Sequence, residues 1–458
     1  MSDLGPRNYK GTRDWLASDA SVRNRLVETL KLVFELFGYE PLETPVVELR
    51  STLFGKGGDE TNNLIYTFLK GHDELGLRFD HTVPLARVVA QHEKELVFPY
   101  RRYATGPVFR ADKPQKGRYR QFTQCDFDMV GSSNPLADAE VIALSYTALV
   151  KLGFTTQFRI HVFDRHALNG MAHALGAQTQ KQVETILRSW DKLAKVGRRE
   201  IAVEVEAEGL DPGCFNQATD QLLEVMGSSG SNEAVVDAVE RLFSSSEDLE
   251  AGLSVLRQIL SYLDNLGIPS ERVQIDPTLA RGLAYYTGPI FETVVEEAGV
   301  GSITGGGRFD TLIEQLGGPS IPATGSSFGL ERMVEVLYTL GITKPERTPV
   351  QVFVANFDPK DRTLTNNATA MATRLRSAGV KVELFTGNGS LGKQLHTADR
   401  RGVPFAVFAG PDEISNGDVI VKSLREEFPT DGVHNKTSNQ RQVALGSLVA
   451  EIQALLPS

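Results

Sequence analysis

Thr105 to Gly131 reads TGPVFRADKPQKGRYRQFTQCDFDMVG, and two strands stand out in and just before it. Along the second run, Arg118 to Met129, alternation puts Phe122, Gln124, Asp126 and Asp128 on one face and Thr123, Cys125, Phe127 and Met129 on the other. Along the first, Arg101 to Asp112, Arg110 and Asp112 share a face. The connecting Lys113-Pro114-Gln115-Lys116-Gly117-Arg118 is basic and carries the Pro and Gly of a shaped turn. A mid-sheet strand with two carboxylates and an amide on one face either borders water or lines a pocket for a cationic ligand, because unpaired buried carboxylates are costly. A guanidinium on a rigid strand suits bidentate phosphate recognition. A pocket with carboxylates at one end and arginines at the other would suit a ligand whose ammonium group is held while it reacts at a phosphate. A solvated sheet face and a plain salt bridge between Arg110 and Asp128 are the structural alternatives.

Outward from this pair, Val22, Leu26, Leu30, Val33, Phe34 and Phe37 recur at helical spacing, with Asp19 as the expected N-cap and Gly38 as the stop. A strand is expected at Pro41 to Leu49. A hairpin follows, Thr67 to Lys70 and Leu75 to Asp80 around Gly71-His72-Asp73-Glu74, and then a helix from Thr82. Strands run together and flanked by helices predict an α+β domain on an antiparallel sheet. Between about Asp164 and Leu266 the periods become helical, which reads as an insertion. Sheet patterns return at Ile275 to Val295 and Gly301 to Arg332. After the Pro345 to Pro349 linker, strand and helix alternate, predicting a separate α/β domain with a largely parallel sheet. The expected division is 1–163, 164–266, 267–342 and 343–458.

At 458 residues the chain is long for one hydrophobic core. Its 41% hydrophobic and 23% charged residues are ordinary for a soluble enzyme. The start, MSDLGPRNYKGTRDW, lacks the apolar core of a signal peptide, and no run approaches the roughly 20 apolar residues of a membrane span, so a cytoplasmic protein without membrane contact is expected. Cys125 and Cys214 have no partner at metal-ligand spacing; neither a disulfide framework nor a tightly bound metal is expected. The net charge of −10 argues against non-specific nucleic-acid coating. It leaves room for local basic surfaces, for which Arg7 to Arg13, Lys113 to Arg120, Lys192 to Arg199 and Lys393 to Arg401 are candidates, each also readable as a solvated face.

The long Thr105 to Gly131 stretch, with its FR, PQKGRYR and QCDFD elements, closely resembles the second signature motif of the histidyl-tRNA synthetases, which are class II aminoacyl-tRNA synthetases. The resemblance covers nearly the whole chain. Lys10 to Asp14 (KGTRD) resembles the family's amino-terminal element, and Phe37 to Pro45 (FGYEPLETP) the first class II motif, whose proline, Pro45 here, lies at a homodimer interface. Leu77 to Pro84 (LRFDHTVP), Leu279 to Gly288 (LARGLAYYTG) and Gly325 to Arg332 (GSSFGLER) resemble the amino-group segment, the histidine-specific motif and the third class II motif. The tail, including Leu391-Gly392-Lys393-Gln394, resembles the anticodon-binding domain.

This resemblance implies a histidine–tRNA ligase that uses L-histidine, ATP with Mg2+ as a substrate, and the histidine tRNA. Asp80, Thr82 and Gln124 would hold the α-ammonium, Asp128 with Tyr285 and Tyr286 would lie about the imidazole, and His81 would belong to the same histidine site. Arg110 would grip the α-phosphate, Arg118 and Arg332 the outer phosphates, and Asp112 would seat the nucleotide. Arg281 would bridge the histidine carboxylate and the α-phosphate. Lys113, Gln115 and Lys116 would meet the acceptor end, where histidine tRNAs carry an extra 5′ guanylate. Two positions depart from the family pattern: Ala284 replaces a common acidic residue and Phe309 a usual tyrosine, which puts fine positioning in doubt rather than the reaction class. Gly305 to Asp310 (GGGRFD) suggests a phosphate loop, but no Gly-x-x-x-x-Gly-Lys is present, and a tight turn close to the ligand is expected instead. The competing readings are a non-catalytic relative, serving histidine biosynthesis or sensing uncharged tRNA, and a plain tRNA-binding module. The latter would leave the Asp80, Gln124 and Asp128 row without purpose.

Overall fold

The computed structural model describes residues 5–55, 62–115, 117–155, 157–193, 196–228, 231–280, 285–345, 347–425 and 439–456. The chain forms two compact units, one of Met1–Asp14 with Arg25–Thr343 and the other of Trp15–Asn24 with Lys344–Ser458. Among the described residues the first unit holds strands β1 (Glu40–Pro41), β2 (Val47–Leu49), β3 (Thr67–Lys70), β4 (Asp73–Leu77), β5 (Tyr100–Phe109), β6 (Gln121–Val130), β7 (Arg159–Asp164), β8 (Val273–Ile275), β9 (Pro289–Val294), β10 (Thr304–Arg308) and β11 (Ala323–Gly329).

Eight of these make one sheet in the order β1-β5-β6-β11-β10-β9-β7-β8, antiparallel throughout except at its two ends, where β1 joins β5 and β8 joins β7 in parallel. The β5–β6 pair is the one read from the sequence, with Arg102 opposite Asp128 and Gly106 opposite Gln124. Alternation sorts β6 as expected. Phe127 turns to the back, where it stacks on Phe34 at 5.2 Å and Phe328 at 5.7 Å, so the apolar stripe of the helix Ala17–Leu36 covers that face. The polar row is thereby left on the open face.

Three local expectations change. The first helix begins at Ala17, so Asp19 lies in its first turn, where a carboxylate still favours the helix dipole, rather than at the cap. The Pro41 to Leu49 strand is two short ones: β1 joins the large sheet, and β2 pairs with β4 in the separate sheet β2-β4-β3. GGGRFD is no turn, because Thr304–Arg308 is β10 itself. Two of its glycines answer to neighbouring chain: a Cβ on Gly306 would lie 2.1 Å from the Gly325 carbonyl, and one on Gly307 2.7 Å from that of Pro289. Between Arg165 and Asn265 the described residues are helical apart from short connections, with a Thr179–Gln182 capping box at the start of Gln180–Lys192.

In the second unit, β12 (Val352–Val354), β13 (Val382–Leu384), β14 (Phe405–Phe408), β15 (Asp418–Ser423) and β16 (Gln440–Ala444) form a sheet in the order β13-β12-β14-β15-β16. The first two pairings are parallel, as the alternation predicts; the last two are antiparallel. The LGKQ element finds a structural use here. Gln394 is buried, donates to the Asn356 carbonyl at 2.7 Å and accepts from the Asn356 amide at 2.9 Å, bracketing the loop after β12.

Candidate active site

The open face of the sheet floors a cleft of about 580 Å³ in the first unit. Asp80, Thr82, Gln124, Asp128, Tyr285 and Tyr286 line it together with Arg110, Asp112, Arg118 and Arg332. Residues separated by up to 252 positions thus share one concavity. Arg281 and Ala284 lie outside the described residues, as does Lys116.

Asp80 is fixed by the helix it starts. One carboxylate oxygen accepts from the backbone of Thr82 (3.1 Å) and Val83 (3.0 Å) at the head of Thr82–His92, satisfying donors that a helix start leaves open. The other accepts from the Tyr285 hydroxyl at 3.4 Å. Burial raises the Asp80 pKa, while the Val83 hydrogen bond and the nearby Arg110 oppose the rise. Gln124 donates to Ser327 Oγ at 2.7 Å, and its buried carbonyl oxygen has no hydrogen-bond partner among the described residues, which leaves an acceptor for an ammonium group. His81 does not line the cleft. Its Nε2 stands 3.3 Å from the Gly106 carbonyl, and burial, reinforced by Arg78 and Arg102, lowers its pKa to about 3, so the ring is neutral.

Tyr285 and Tyr286 meet edge-on at 5.0 Å between ring centres, and Phe309 meets Tyr285 edge-on at 6.0 Å. The departure at Phe309 therefore supplies an aromatic wall. Asp128 is buried beside them, and burial lifts its pKa to about 7, with Arg102 opposing and Asp126 and Asp80 adding to the rise.

Toward the arginines, the Arg110 guanidinium lies 4.1 Å over the Phe79 ring and 5.1 Å from that of Phe122, and its Nε donates to the Phe79 carbonyl at 3.2 Å. Stacking and that bond fix its plane, which suits bidentate binding of an anion. Arg118 is half-exposed and paired with Asp112 at 2.8 Å. Arg332 donates to the Gly117 carbonyl at 3.2 Å and the Ser302 carbonyl at 2.8 Å, tying the start of the helix Leu330–Thr339 to the loop between β5 and β6. In the same loop the backbones of Gln115 and Arg118 bond each other at 3.2 and 2.9 Å. The Arg7 to Arg13 patch rests against this loop: Arg120 donates to the Lys10 carbonyl and lies 4.9 Å from the Tyr9 ring.

A single cleft that joins acceptors for an ammonium and a ring N–H to a row of arginines fits an amino acid beside a nucleoside triphosphate. Residues 11–333 match the histidyl-tRNA synthetase family, and residues 351–455 match the anticodon binding domain. The chain belongs to the histidyl-tRNA synthetase family. It is 38% identical to the histidine–tRNA ligase of Rhodopirellula baltica over 438 residues, covering 95% of this chain and 97% of that one. To the histidine–tRNA ligase of Aeropyrum pernix it is 37% identical over 463 residues, spanning the whole of both. The crystal structure of histidyl-tRNA synthetase from Nostoc sp. is similar to it with a TM-score of 0.83 at 30% identity, covering 99% of this chain and 100% of that one.

Within this synthetase fold the cleft uses more residues than the motifs singled out. Asp126 is buried on the same face and accepts from Ser327 Oγ. Asp191, from the helix Gln180–Lys192, also lines the cleft. The salt bridge considered between Arg110 and Asp128 is not formed: Asp128 pairs with Arg102, because the antiparallel register sets those two opposite each other. Parity along the expected Arg101 to Asp112 strand carries the signal, since Arg102 and Arg110 fall on one of its faces. Among the described residues, no group of three or more His, Cys, Asp or Glu side chains could hold a metal ion, and no helix is long and apolar enough to cross a membrane.

Proposed function

We propose that this protein is a histidine–tRNA ligase: it condenses L-histidine with ATP to histidyl-adenylate and pyrophosphate, then transfers histidine to the 3′ end of the histidine tRNA. One observation carries the reading. Asp80, Gln124 and Asp128 share a cleft with Arg110, Arg118 and Arg332. Asp80, Thr82 and Gln124 hold the α-ammonium. Asp128, Tyr285 and Tyr286 enclose the imidazole. A buried acceptor that needs a ring N–H is left unpaired by other amino acids, which gives selectivity. His81 supports the pocket from behind, as a neutral ring on the Gly106 carbonyl.

The reaction is an in-line attack of the histidine carboxylate on the α-phosphorus. Little covalent work falls to side chains; arginine charge overcomes repulsion between two anions and stabilises the charge that develops in the transition state. Arg110 holds the α-phosphate, Arg118 and Arg332 the outer phosphates, and Asp112 holds Arg118 ready through their 2.8 Å pair. Arg281 is proposed as the second cation at the α-phosphate, from its motif alone. ATP enters as substrate with its magnesium. Lys113, Gln115 and Lys116 would meet the acceptor end of the tRNA.

We further propose the organisation 1–163 and 267–342 as the catalytic domain, 164–266 as its insertion and 343–458 as the anticodon-binding domain, in a cytoplasmic homodimer with Pro45 at its interface. Exposed Val47 and Leu49, two and four residues beyond that proline, support the dimer, since they leave apolar surface on the strand that follows it. Histidine-dependent exchange of labelled pyrophosphate into ATP tests the reaction. Exchange that ignores histidine, or none, favours the non-catalytic relative.

A further inference from the structure

Asp128 has a buried partner that no motif assignment includes. Arg102 is 0% exposed and stands opposite Asp128 across β5 and β6, with Nη2 2.7 Å from Asp128 Oδ2. The same nitrogen carries two N–H groups and also donates to the His81 carbonyl at 3.1 Å, which fixes the guanidinium beside the carboxylate. Oδ2 is buried against this guanidinium. The ion pair thus engages Oδ2 and leaves the other carboxylate oxygen, Oδ1, for a substrate.

The surroundings give that charge a purpose. Asp126 on the same strand and Asp80 at the head of Thr82–His92 both push Asp128 toward its neutral form, as does burial. Tyr286 and Tyr39 add two buried phenols, both held protonated by burial, with Asp128 adding to it at Tyr286 and Glu140 and then Asp128 at Tyr39, where Arg101 opposes. From β11 the facing residue is Gly325, which brings no charge. Among the described residues Arg102 is the cation that opposes them. A buried ion pair is seldom needed for stability, since apolar residues of similar volume often serve as well or better.

We propose that Arg102 is a positioning residue for substrate selection: it holds Asp128 as an oriented carboxylate with a free oxygen for the histidine ring N–H. The proposal rests on the histidine pocket described above. Without the cation, Asp128 stays protonated to higher pH and presents a hydroxyl where an acceptor is needed. Histidine capture then fails first at neutral pH and recovers in alkali.

The test uses the full-length enzyme and pyrophosphate exchange. Arg102→Gln keeps a donor for the His81 carbonyl without charge, and Arg102→Met keeps the length without either; whichever is folded by circular dichroism carries the experiment. The histidine KM should rise by about tenfold for each unit that the carboxyl ionisation moves, while the ATP KM stays within about threefold. The defect should shrink from pH 7 to pH 9, and Arg102→Lys, which restores the charge, should recover most of the loss. Equal rises in both KM values, or a defect independent of pH, would overturn the proposal and leave the ligase reading intact. Wild-type protein without histidine-dependent exchange overturns both.

Discussion

A methyl group on Gly325 would lie 2.1 Å from Asp128 Oδ1, because β6 and β11 set these two residues opposite each other. No real Cβ contact is that short, and the Phe127 carbonyl at 2.7 Å blocks retreat. The glycine at the head of GSSFGLER is therefore space reserved for a carboxylate. Gly325→Ala should displace Asp128 and raise the histidine KM by ~10-fold or more, with a stability loss of about 1–3 kcal/mol from overpacking. Pyrophosphate exchange against histidine concentration checks it. An unchanged KM in the folded variant would show that Asp128 does not face the substrate.

Asp128 also ties stability to pH. Its folded pKa is about 7, raised chiefly by burial, whereas an unfolded aspartate titrates near ~3.9. Between these values the folded state binds the extra proton, so this group's contribution to stability falls as pH rises and levels off above about 7. Asp128→Asn removes that slope. The stability difference, variant minus wild type, should grow in the variant's favour from pH 5 to pH 7, by on the order of 1 kcal/mol per pH unit. Urea unfolding at both pH values measures it, and a constant difference would mean that Asp128 is ionised throughout. In the histidine assay Asp128→Ala should raise the histidine KM strongly and the ATP KM little.

How far sequence reached depends on whether a pattern is local. The β5–β6 pair, its polar row and the basic loop were legible, because strand parity and turn residues act over a few positions. GGGRFD was misread as a turn for the opposite reason. Gly306 and Gly307 are dictated by the Gly325 and Pro289 carbonyls and by the Phe291 and Tyr286 rings, which are apart from them in sequence. Arg102 was passed over because it lies outside the quoted motif, although its parity with Arg110 was visible; only the register pairs it with Asp128. Two of the five strands of the second sheet stayed unread: β15 follows only the six-residue helix Pro411–Asn416, too short for a parallel crossover, and β16 pairs antiparallel with β15. The roles given to Arg281 and Lys116 rest on motif likeness alone.

Arg308, the arginine of GGGRFD, has a structural use instead. It reaches Asp138 at 2.6 Å, with side-chain exposures of 8% and 1%, and donates to the Ser132 carbonyl at 2.9 Å. Burial and the ion pair act against each other at both ends, and removing one partner strands the other. Asp138→Ala should cost about 3–5 kcal/mol in urea unfolding, the penalty of an uncompensated buried charge. A loss below about 1 kcal/mol would falsify the pair as a structural tie, since that is the range of an exposed bridge.

The loop between β5 and β6 offers the clearest test of the tRNA contact. Its backbone closes on itself between Gln115 and Arg118, and Gly117 takes the left-handed conformation at φ +69°, which leaves Lys113 and Gln115 exposed beside it. A glutamine amide can read a base edge, whereas a lysine ammonium neutralises phosphate whatever the sequence, so readout and positioning fall on different residues. Lys113→Ala should weaken every tRNA alike and flatten the salt dependence of binding by about one unit of slope, through one fewer released counterion. Gln115→Ala should leave that slope alone and narrow the preference for histidine tRNA with the extra 5′ guanylate over the same tRNA without it. Loss of a good base contact corresponds to about 1–3 kcal/mol of discrimination, or roughly 5- to 150-fold in the ratio. Aminoacylation of both tRNAs by each variant gives the ratio, and histidine-dependent pyrophosphate exchange serves as the control, because neither residue is placed in the adenylation chemistry. A discrimination ratio that survives Gln115→Ala would make the loop's basic residues ordinary surface charge and move recognition of that nucleotide elsewhere.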